Sequence, residues 1–184
     1  MRKHVVIING RGGVGKDTLV AAAARDVGHT VINTSSIDTI KYVASHYFGW
    51  TGSKTDKDRK FLADLKQLVY GYGDTLYKNL YFNVLHMLET NDDRSKISKI
   101  VFVHIREPQE IDRMKVDLKE YAANNKDVHI HTLLIRNPDD SVKYGNSADD
   151  DVAKYKYDLV YNNTLTEEMA VIDFPAWLFR TLDK

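Results

Sequence analysis

Nearly continuous apolar runs alternate along this chain with segments whose apolar residues recur at helical spacing. The first run, residues 4–8, precedes a glycine-rich stretch and then an alanine-rich segment at 19–25. Short apolar runs rich in β-branched residues are typical of strands buried on both faces of a sheet. Further runs of this kind predict strands at residues 30–34, 100–105, 128–135 and 158–162.

The intervening segments predict helices at residues 19–25, 37 to about 48, 59 to about 70, 76–88, 107–123 and from 167 onward. Ser35 and Ser36 are candidate caps of the second of these helices, and Thr166 is the candidate cap of the last. Residues 51–58 are polar and predict a loop before the third helix. Gly71 and Gly73 are expected to break that helix.

Strands that alternate with helices predict a doubly wound α/β fold with right-handed crossovers. We therefore expect one three-layer α/β/α domain over residues 1–184, with a five-stranded, mainly parallel sheet. Residues 137–151 are polar and include Pro138, Gly145 and three consecutive aspartates, so a loop is predicted there.

Composition narrows the classes of function. The chain is 43% hydrophobic and 28% charged, and its 26 Lys and Arg residues balance 26 Asp and Glu residues. This balance argues against a broad nucleic-acid or anionic-membrane surface. The absence of cysteine excludes disulfides, thiolate metal sites and cysteine nucleophiles. A first strand so close to Met1 leaves no room for a signal peptide, and no apolar run is long enough to span a bilayer, so a cytoplasmic protein is expected.

The segment at residues 10–18 has the sequence GRGGVGKDT and lies between a predicted strand and a predicted helix. That context is required of a phosphate-binding loop, because glycines let the backbone direct its N–H groups towards an anion. The positive end of the following helix points at the same place. Lys16 is predicted to bind the β- and γ-phosphates of ATP. The candidate ATP-binding residues of this segment are Arg11, Gly12, Gly13, Val14, Gly15, Lys16, Asp17 and Thr18.

Asp17 stands where such loops normally carry a Ser or Thr that binds Mg²⁺ through its hydroxyl. A carboxylate is also a hard oxygen ligand, and Thr18 follows it directly. Asp17 is therefore the candidate Mg²⁺ ligand, either directly or through water.

Charged residues follow the predicted strands, and ligands of open α/β sheets bind beyond the carboxyl ends of the strands. Transfer of a phosphoryl group between two anionic ligands needs cations at such an edge. Arg106 and Arg136 each follow a strand as Arg-x-Pro. The full set of residues after the strands is Arg11, Lys16, Asp38, Lys41, Arg106, Arg136, Asn162 and Asn163.

Three segments besides the loop carry a family resemblance: Ser-Ile-Asp-Thr-Ile-Lys at residues 36–41, His-Ile-Arg-Glu-Pro at 104–108 and the closing run at 157–165. With the Gly-Lys-Asp-Thr loop ending, they resemble the phage-type deoxynucleoside monophosphate kinases, within the nucleoside monophosphate kinase group. The resemblance spans most of the chain, and the phosphate loop is its most specific part.

The resemblance implies a role for each matching position. Asp38, Lys41 and Arg59 would bind the acceptor, Arg59 through its phosphate. Arg106 would lie between the two substrates, where it would bind the acceptor and act as a catalytic residue. Arg136 would be a further catalytic residue, with Lys16, and would lie at the root of a lid made from residues 137–151. Asn163, after the last strand, would lie near the donor adenine. His104 departs from the pattern, because members of the group often have an acid there.

Several alternatives stay open from the sequence. The acceptor is expected to be a (deoxy)nucleoside monophosphate, since the aromatic residues between Tyr70 and Phe82 offer material for a base pocket, but phosphomevalonate is the nearest alternative. A regulatory protein that binds nucleotide without turnover is a second. A GTPase is disfavoured because the Asn-Asn-Lys-Asp run at residues 124–127 has the wrong spacing. Zinc binding by His104, His129 and His131 is a minor alternative. The oligomeric state is left open, with a homodimer as one alternative.

Overall fold

The structure is a computed structural model that describes residues 1–90, 96–137, 152 and 154–183. Its strands are β1 (Arg2–Asn9), β2 (His29–Ser35), β3 (Ser98–His104), β4 (Val128–Arg136) and β5 (Leu159–Asn162). Its helices are α1 (Lys16–Ala23), α2 (Asp38–Phe48), α3 (Asp56–Tyr72), α4 (Thr75–Glu89), α5 (Pro108–Ala123) and α6 (Glu167–Leu182). All five predicted strands are present, within a few residues of their predicted positions.

The five strands form one sheet in the order β2-β3-β1-β4-β5. Each neighbouring pair runs parallel, so the expected mainly parallel sheet is parallel throughout the described residues. In a parallel sheet all carboxyl ends lie at the same edge. The phosphate loop follows β1, the central strand, and therefore lies in the middle of that edge.

Alternate residues of β1 enter two separate cores. Val6 and Ile8 face α1 and α6, where they join a cluster that includes Phe174. Val5 and Ile7 face α4 and α5, where they join a second cluster that includes Met114. A strand buried on both faces explains the continuous apolar run. Helices on both sides of the sheet confirm the predicted three-layer α/β/α fold.

The loop before α3 is shorter than predicted. The hydroxyl of Thr55 accepts a hydrogen bond from the backbone N–H of Asp58, and the Asp58 carboxylate accepts one from the N–H of Thr55. This reciprocal capping box starts the helix at Asp56, three residues before the predicted start. Gly71 lies inside α3, and only Gly73 ends it, so the predicted break at Gly71 is wrong.

The predicted cap of α2 differs from the structure, whereas the predicted cap of α6 lies at its expected position. The N-cap of α2 is Ile37 rather than Ser35 or Ser36, and its side chain makes no capping bond. The Asp38 carboxylate instead folds back and accepts a hydrogen bond from the N–H of Ser35 at 2.7 Å. Thr166 does occupy the N-cap of α6, but its side chain also makes no capping bond.

Two lysines satisfy the end of α4. Lys99 is fully buried on β3, and its ammonium donates to the carbonyls of Met87 at 3.0 Å and Thr90. Lys3 of β1 donates to the carbonyl of Leu88 at 2.6 Å. The last carbonyls of a helix have no partners within it and carry partial negative charge, which explains cations in these otherwise apolar strands.

The predicted lid lies outside the described residues, apart from Asn137 at its start. Among the described helices, each is too short or too polar to serve as a membrane span.

Candidate active site

The loop between β1 and α1 has the backbone geometry of an anion cradle. Gly13 and Gly15 have positive φ angles of 80° and 89°, in the left-handed region that favours glycine. Gly15 is the N-cap of α1 and no side chain caps the helix, so its first N–H groups are left for a ligand. A Cβ atom on Gly10 would lie 2.4 Å from the carbonyl oxygen of Ile135, which requires glycine where the loop leaves the sheet.

The ammonium group of Lys16 is held at this loop. Its Nζ donates to the carbonyl oxygens of Gly10 at 2.5 Å and Arg11 at 2.8 Å. The charge is therefore localised at the loop, where the β- and γ-phosphates of a bound nucleotide would need it.

His104 lies between the phosphate loop and the start of α2. Burial lowers the pKa of this imidazole below its usual value, so the ring is neutral at pH 7. Four charged side chains also act on that pKa: Asp17 and Lys16 from the loop side, and Asp38 and Lys41 from α2. The Nε2 atom of His104 is buried and has no hydrogen-bond partner among the described residues. His104 pairs with Ile8 of β1 on one side and with Ser35 of β2 on the other, so the candidate ATP-binding and acceptor-binding groups follow on either side of it at the sheet edge.

Asp38 and Lys41 lie on the first turn of α2. Their charged groups are 3.9 Å apart, and their side chains are 53% and 46% exposed. A pair this exposed contributes little to stability, so both groups remain accessible to a ligand.

Arg106 and Arg136 both lie at the carboxyl edge of the sheet, on either side of β1. Arg106 is exposed just beyond β3, and its carbonyl oxygen accepts a hydrogen bond from Asn9 at 3.0 Å. Arg136 ends β4, and its Nε donates to Oδ1 of Asn162 at 2.8 Å. The predicted residues at the ends of β3, β4 and β5 therefore share one edge, as parallel topology requires.

Asn163 joins the end of β5 to the phosphate loop. Its Nδ2 donates to the carbonyl of Val14 at 3.0 Å, and its backbone N–H donates to the carbonyl of Arg136 at 2.8 Å. Its Oδ1 is buried and has no partner among the described residues. Asn163 borders a pocket of about 400 Å³ beside the loop, and the lining residues are Gly13, Val14, Gly15, Thr18, Leu19, Asn137, Asn163, Leu165, Glu167 and Ala170.

Arg59 is exposed on the first turns of α3. Among the described residues its side chain has no hydrogen bond or ion pair, because the neighbouring Asp58 carboxylate is engaged by Ser53 and Thr55. Helix α3 packs on α2 through an edge-to-face contact between Phe48 and Phe61 at 5.5 Å. No described contact links Arg59 to Arg106, so its place at the acceptor site stays a prediction.

An ion pair that the sequence did not indicate connects α3 to the same edge. Lys66 binds the carboxylate of Glu107, the residue that follows Arg106, and its ammonium lies 5.7 Å from the ring centre of Tyr70. Burial alone would raise the pKa of Glu107, but the hydrogen bond and charge of Lys66 hold it below its usual value. The second oxygen, Oε2, is buried without a partner among the described residues.

Asp17 and Thr18 supply the oxygens that Mg²⁺ prefers. Asp17 is exposed in the first turn of α1, and Thr18 is half-buried beside it. In the described residues no cluster of three or more His, Asp or Glu side chains could hold a metal by itself. Sites that share Mg²⁺ with substrate phosphates use only one or two protein ligands, so this donor set fits the ion.

The histidines of β4 pack against a third histidine, His4 of β1. His129 and His131 stack on the ring of His4 at 5.3 Å and 5.5 Å between ring centres, towards the amino end of the sheet. Since no metal-binding cluster occurs in the described part of the chain, the zinc alternative has no support there.

Comparison with known proteins gives structural likenesses only. No family model matches the chain, and no curated protein sequence does. A mutant of the APS kinase CysC from Mycobacterium tuberculosis covers 100% of this chain and 99% of its own, with 13% identity and a TM-score of 0.47. An unliganded sugar kinase from Janibacter sp. HTCC2649 covers 97% of this chain and 95% of its own, with 15% identity and a TM-score of 0.49. The tunicamycin resistance protein of Deinococcus radiodurans covers 96% of this chain and 96% of its own, with 15% identity and a TM-score of 0.48.

Proposed function

We propose that this chain is an ATP-dependent kinase that transfers a phosphoryl group to a small phosphate-bearing acceptor, most simply a (deoxy)nucleoside monophosphate. The observation that carries the proposal is the position of His104. It lies within the electrostatic influence of Lys16 on the loop side and of Asp38 and Lys41 on the acceptor side. The proposed donor-phosphate cradle and the proposed acceptor groups would therefore meet across this half-buried side chain, as a transfer between two bound substrates requires.

The chain supplies the groups that this chemistry needs. The loop N–H groups and the open N-terminus of α1 would bind the donor phosphates, and Lys16 would stabilise the charge of the transferring group. Arg106 would face that group from the end of β3, and Arg136 from the end of β4. Mg²⁺, held by Asp17 and Thr18, would neutralise further charge on the phosphates. In the pocket beside the loop, Asn163 would lie next to the donor base.

The proposed acceptor class is supported by the groups around Glu107, the residue that follows Arg106. The Tyr70 ring, the Lys66 ammonium and the Glu107 carboxylate lie together where α3 meets the edge of the sheet. An aromatic face and a hydrogen-bond acceptor are what a nucleobase needs for stacking and for pairing of its N–H groups. Arg59, on the same helix, would bind the acceptor phosphate.

A protein that binds nucleotide without turnover is the second candidate, and His104 is the observation that favours it. The resemblance predicts an acid at this position, but a neutral imidazole has no negative charge to offer a hydrated metal ion. All other parts of the site serve binding and turnover alike, so only an assay of transfer separates the two candidates.

The test is a coupled assay of ADP release, with the common nucleoside and deoxynucleoside monophosphates and phosphomevalonate as acceptors. We expect release that depends on the acceptor and is strongest with one monophosphate. Lys16→Met is the control, because it keeps the alkyl stem but removes the charge. It should lower turnover by about 10²-fold or more while the protein stays folded.

The outcomes separate the candidates. Release with phosphomevalonate alone would overturn the nucleotide acceptor but keep the kinase. ATP binding without release for any acceptor would favour the second candidate. Near-native turnover in Lys16→Met would remove the loop lysine from the mechanism.

A further inference from the structure

Asn9 is the last residue of β1, directly before the phosphate loop, and it is only 1% exposed. Its side chain makes three hydrogen bonds, each to a different segment. Oδ1 accepts from the N–H of Gly10 at 2.8 Å. Nδ2 donates to the carbonyl of Arg106 at 3.0 Å and to the hydroxyl of Tyr157 at 2.9 Å.

The chemistry of the partners fixes the orientation of this amide. The N–H of Gly10 can only donate, and the carbonyl of Arg106 can only accept. Reversing the oxygen and nitrogen of Asn9 would lose both bonds at once. The side chain is therefore held in one position, as a rigid link between the first residue of the loop and Arg106.

The third partner lies on a firmly anchored segment. Within residues 154–158, the Tyr155 hydroxyl donates to Asp112 of α5 at 2.7 Å. The Asp158 carboxylate accepts from Lys115 of α5 and from the backbone and hydroxyl of Thr132 on β4. Tyr157 thus offers Asn9 a fixed hydroxyl, so the amide is braced against α5 and β4.

Burial alone does not require that one side chain make all three of these hydrogen bonds. Buried backbone groups need some partner, and separate partners would satisfy Gly10 and Arg106 equally well. One short amide that serves both fixes the distance between them. The two segments carry, in the proposed function, the donor cradle and the arginine between the substrates, and misplacement by about 1 Å can cost about 10²-fold in rate.

We propose that Asn9 is a positioning residue that sets Arg106 against the phosphate loop. This inference rests on the proposed kinase function. Asn9 touches neither substrate; it acts through the Gly10 N–H and the Arg106 carbonyl. Its loss should therefore lower kcat much more than the affinity for ATP, because the loop keeps its own glycine geometry and its contact with Ile135.

The test uses two substitutions that remove the Nδ2 donor in different ways. Asn9→Asp keeps the size and the acceptor for Gly10 but places an oxygen against the Arg106 carbonyl. Asn9→Ser stays neutral and is too short to reach all three partners. Both should lower kcat by about 10- to 100-fold, with a change in the Kd of ATP with Mg²⁺ of less than about threefold.

Thr132→Val is the matched control. It removes the hydroxyl bonds between Thr132 and Asp158 without touching the loop or Arg106. The bonds of Asp158 to Lys115 and of Tyr155 to Asp112 still hold the segment that carries Tyr157. It should lower the melting temperature but leave kcat within about twofold, since a stability loss alone does not move the bound groups.

Three results would overturn the proposal. Asn9→Ser could retain kcat while Asn9→Asp loses it, which would assign the effect to buried charge. Both variants could lose stability with native kcat, which would make Asn9 structural only. Thr132→Val could lower kcat as much as they do.

A separate result would show that the proposed kinase function itself is wrong. Wild-type protein that releases no ADP with any acceptor would refute that function, and with it the kinetic role of Asn9. Amide hydrogen exchange would then still test the link itself. Exchange at residue 10 and at residues 105–107 should be faster in Asn9→Ser than in Thr132→Val, and equal rates would refute the link.

Discussion

The side-chain amide of Asn163 donates a hydrogen bond to the carbonyl of Val14 at 3.0 Å. These residues are far apart in the sequence, and the bond fastens the end of β5 to the middle of the phosphate loop. The fit is close, since a Cβ atom on Gly15 would lie 2.9 Å from the same Nδ2 atom. The shape of the loop therefore depends on β5 as well as on its own glycines.

Asn163→Ala should weaken ATP binding by about tenfold, because the loop loses its outer fastening and the pocket loses a polar group. Binding of ATP with Mg²⁺, measured by titration calorimetry, checks this. Asn162→Ala is the control, since Asn162 contacts Arg136 rather than the loop. Equal losses of ATP affinity in the two variants would show that the hydrogen bond to Val14 does not contribute specifically to ATP binding.

Asp17→Asn should raise the Mg²⁺ concentration needed for half-maximal turnover by about tenfold, because the amide is a weaker ligand than the carboxylate. The free energy of unfolding should change by no more than about 0.5 kcal/mol, the scale of one carboxylate at a helix N-terminus. Asp64→Asn, at an exposed position on α3, is the control. An unchanged Mg²⁺ requirement would place Asp17 away from the ion.

Arg59→Gln should weaken acceptor binding by about 2 kcal/mol, which is typical of a charge-assisted contact. ATP binding should hardly change. The matched control is Lys60→Gln, because the adjacent Lys60 is also exposed and pairs with Asp64 at 2.9 Å. Affinities for both substrates decide the matter: if Arg59→Gln and Lys60→Gln behave alike, Arg59 does not belong to the acceptor site.

Acid should destabilise the fold through His4. Burial, and then the nearby charges of His131, His129 and Arg2, lower the pKa of His4 from 6.5 to about 4. The unfolded chain therefore binds a proton that the folded chain excludes, and stability falls as the pH falls from about 6.5 towards 4. The full effect is about 3 kcal/mol for a shift of this size. Urea unfolding at pH 7 and pH 5 measures the part of this loss that occurs above pH 5.

The matching variant is His4→Leu, which removes the titrating group. Its stability at pH 7 gives the packing cost by itself, because His4 is neutral there. The variant should lose less stability than the wild-type chain between pH 7 and pH 5. An unchanged pH dependence would assign the acid sensitivity to other groups.

Much of the fold could be predicted because its causes are local. Continuous apolar runs placed all five strands, and the glycines of residues 10–18 predicted a loop between β1 and α1 that the structure shows with positive φ angles at Gly13 and Gly15. Both features follow from backbone preferences and from burial on two faces of a sheet. Local rules failed at helix starts, where Thr55 and Asp58 cap α3 together and Asp38 displaces the serines before α2. Several neighbouring side chains compete for the same N–H groups there, and only the final geometry selects one.

The tertiary structure alone decided which strand ends meet. The order β2-β3-β1-β4-β5 brings Arg106 beside Asn9 and His104 between the loop and α2. Neither relationship has a local signal: Asn9 is a single polar residue at the end of an apolar run, and its partners lie about 100 and 150 residues away. Lys66 and Glu107 likewise meet only because the fold brings α3 beside the start of α5. Sequence pattern reports the neighbours of a residue along the chain, whereas the site is made by neighbours across the sheet, which strand order and register determine.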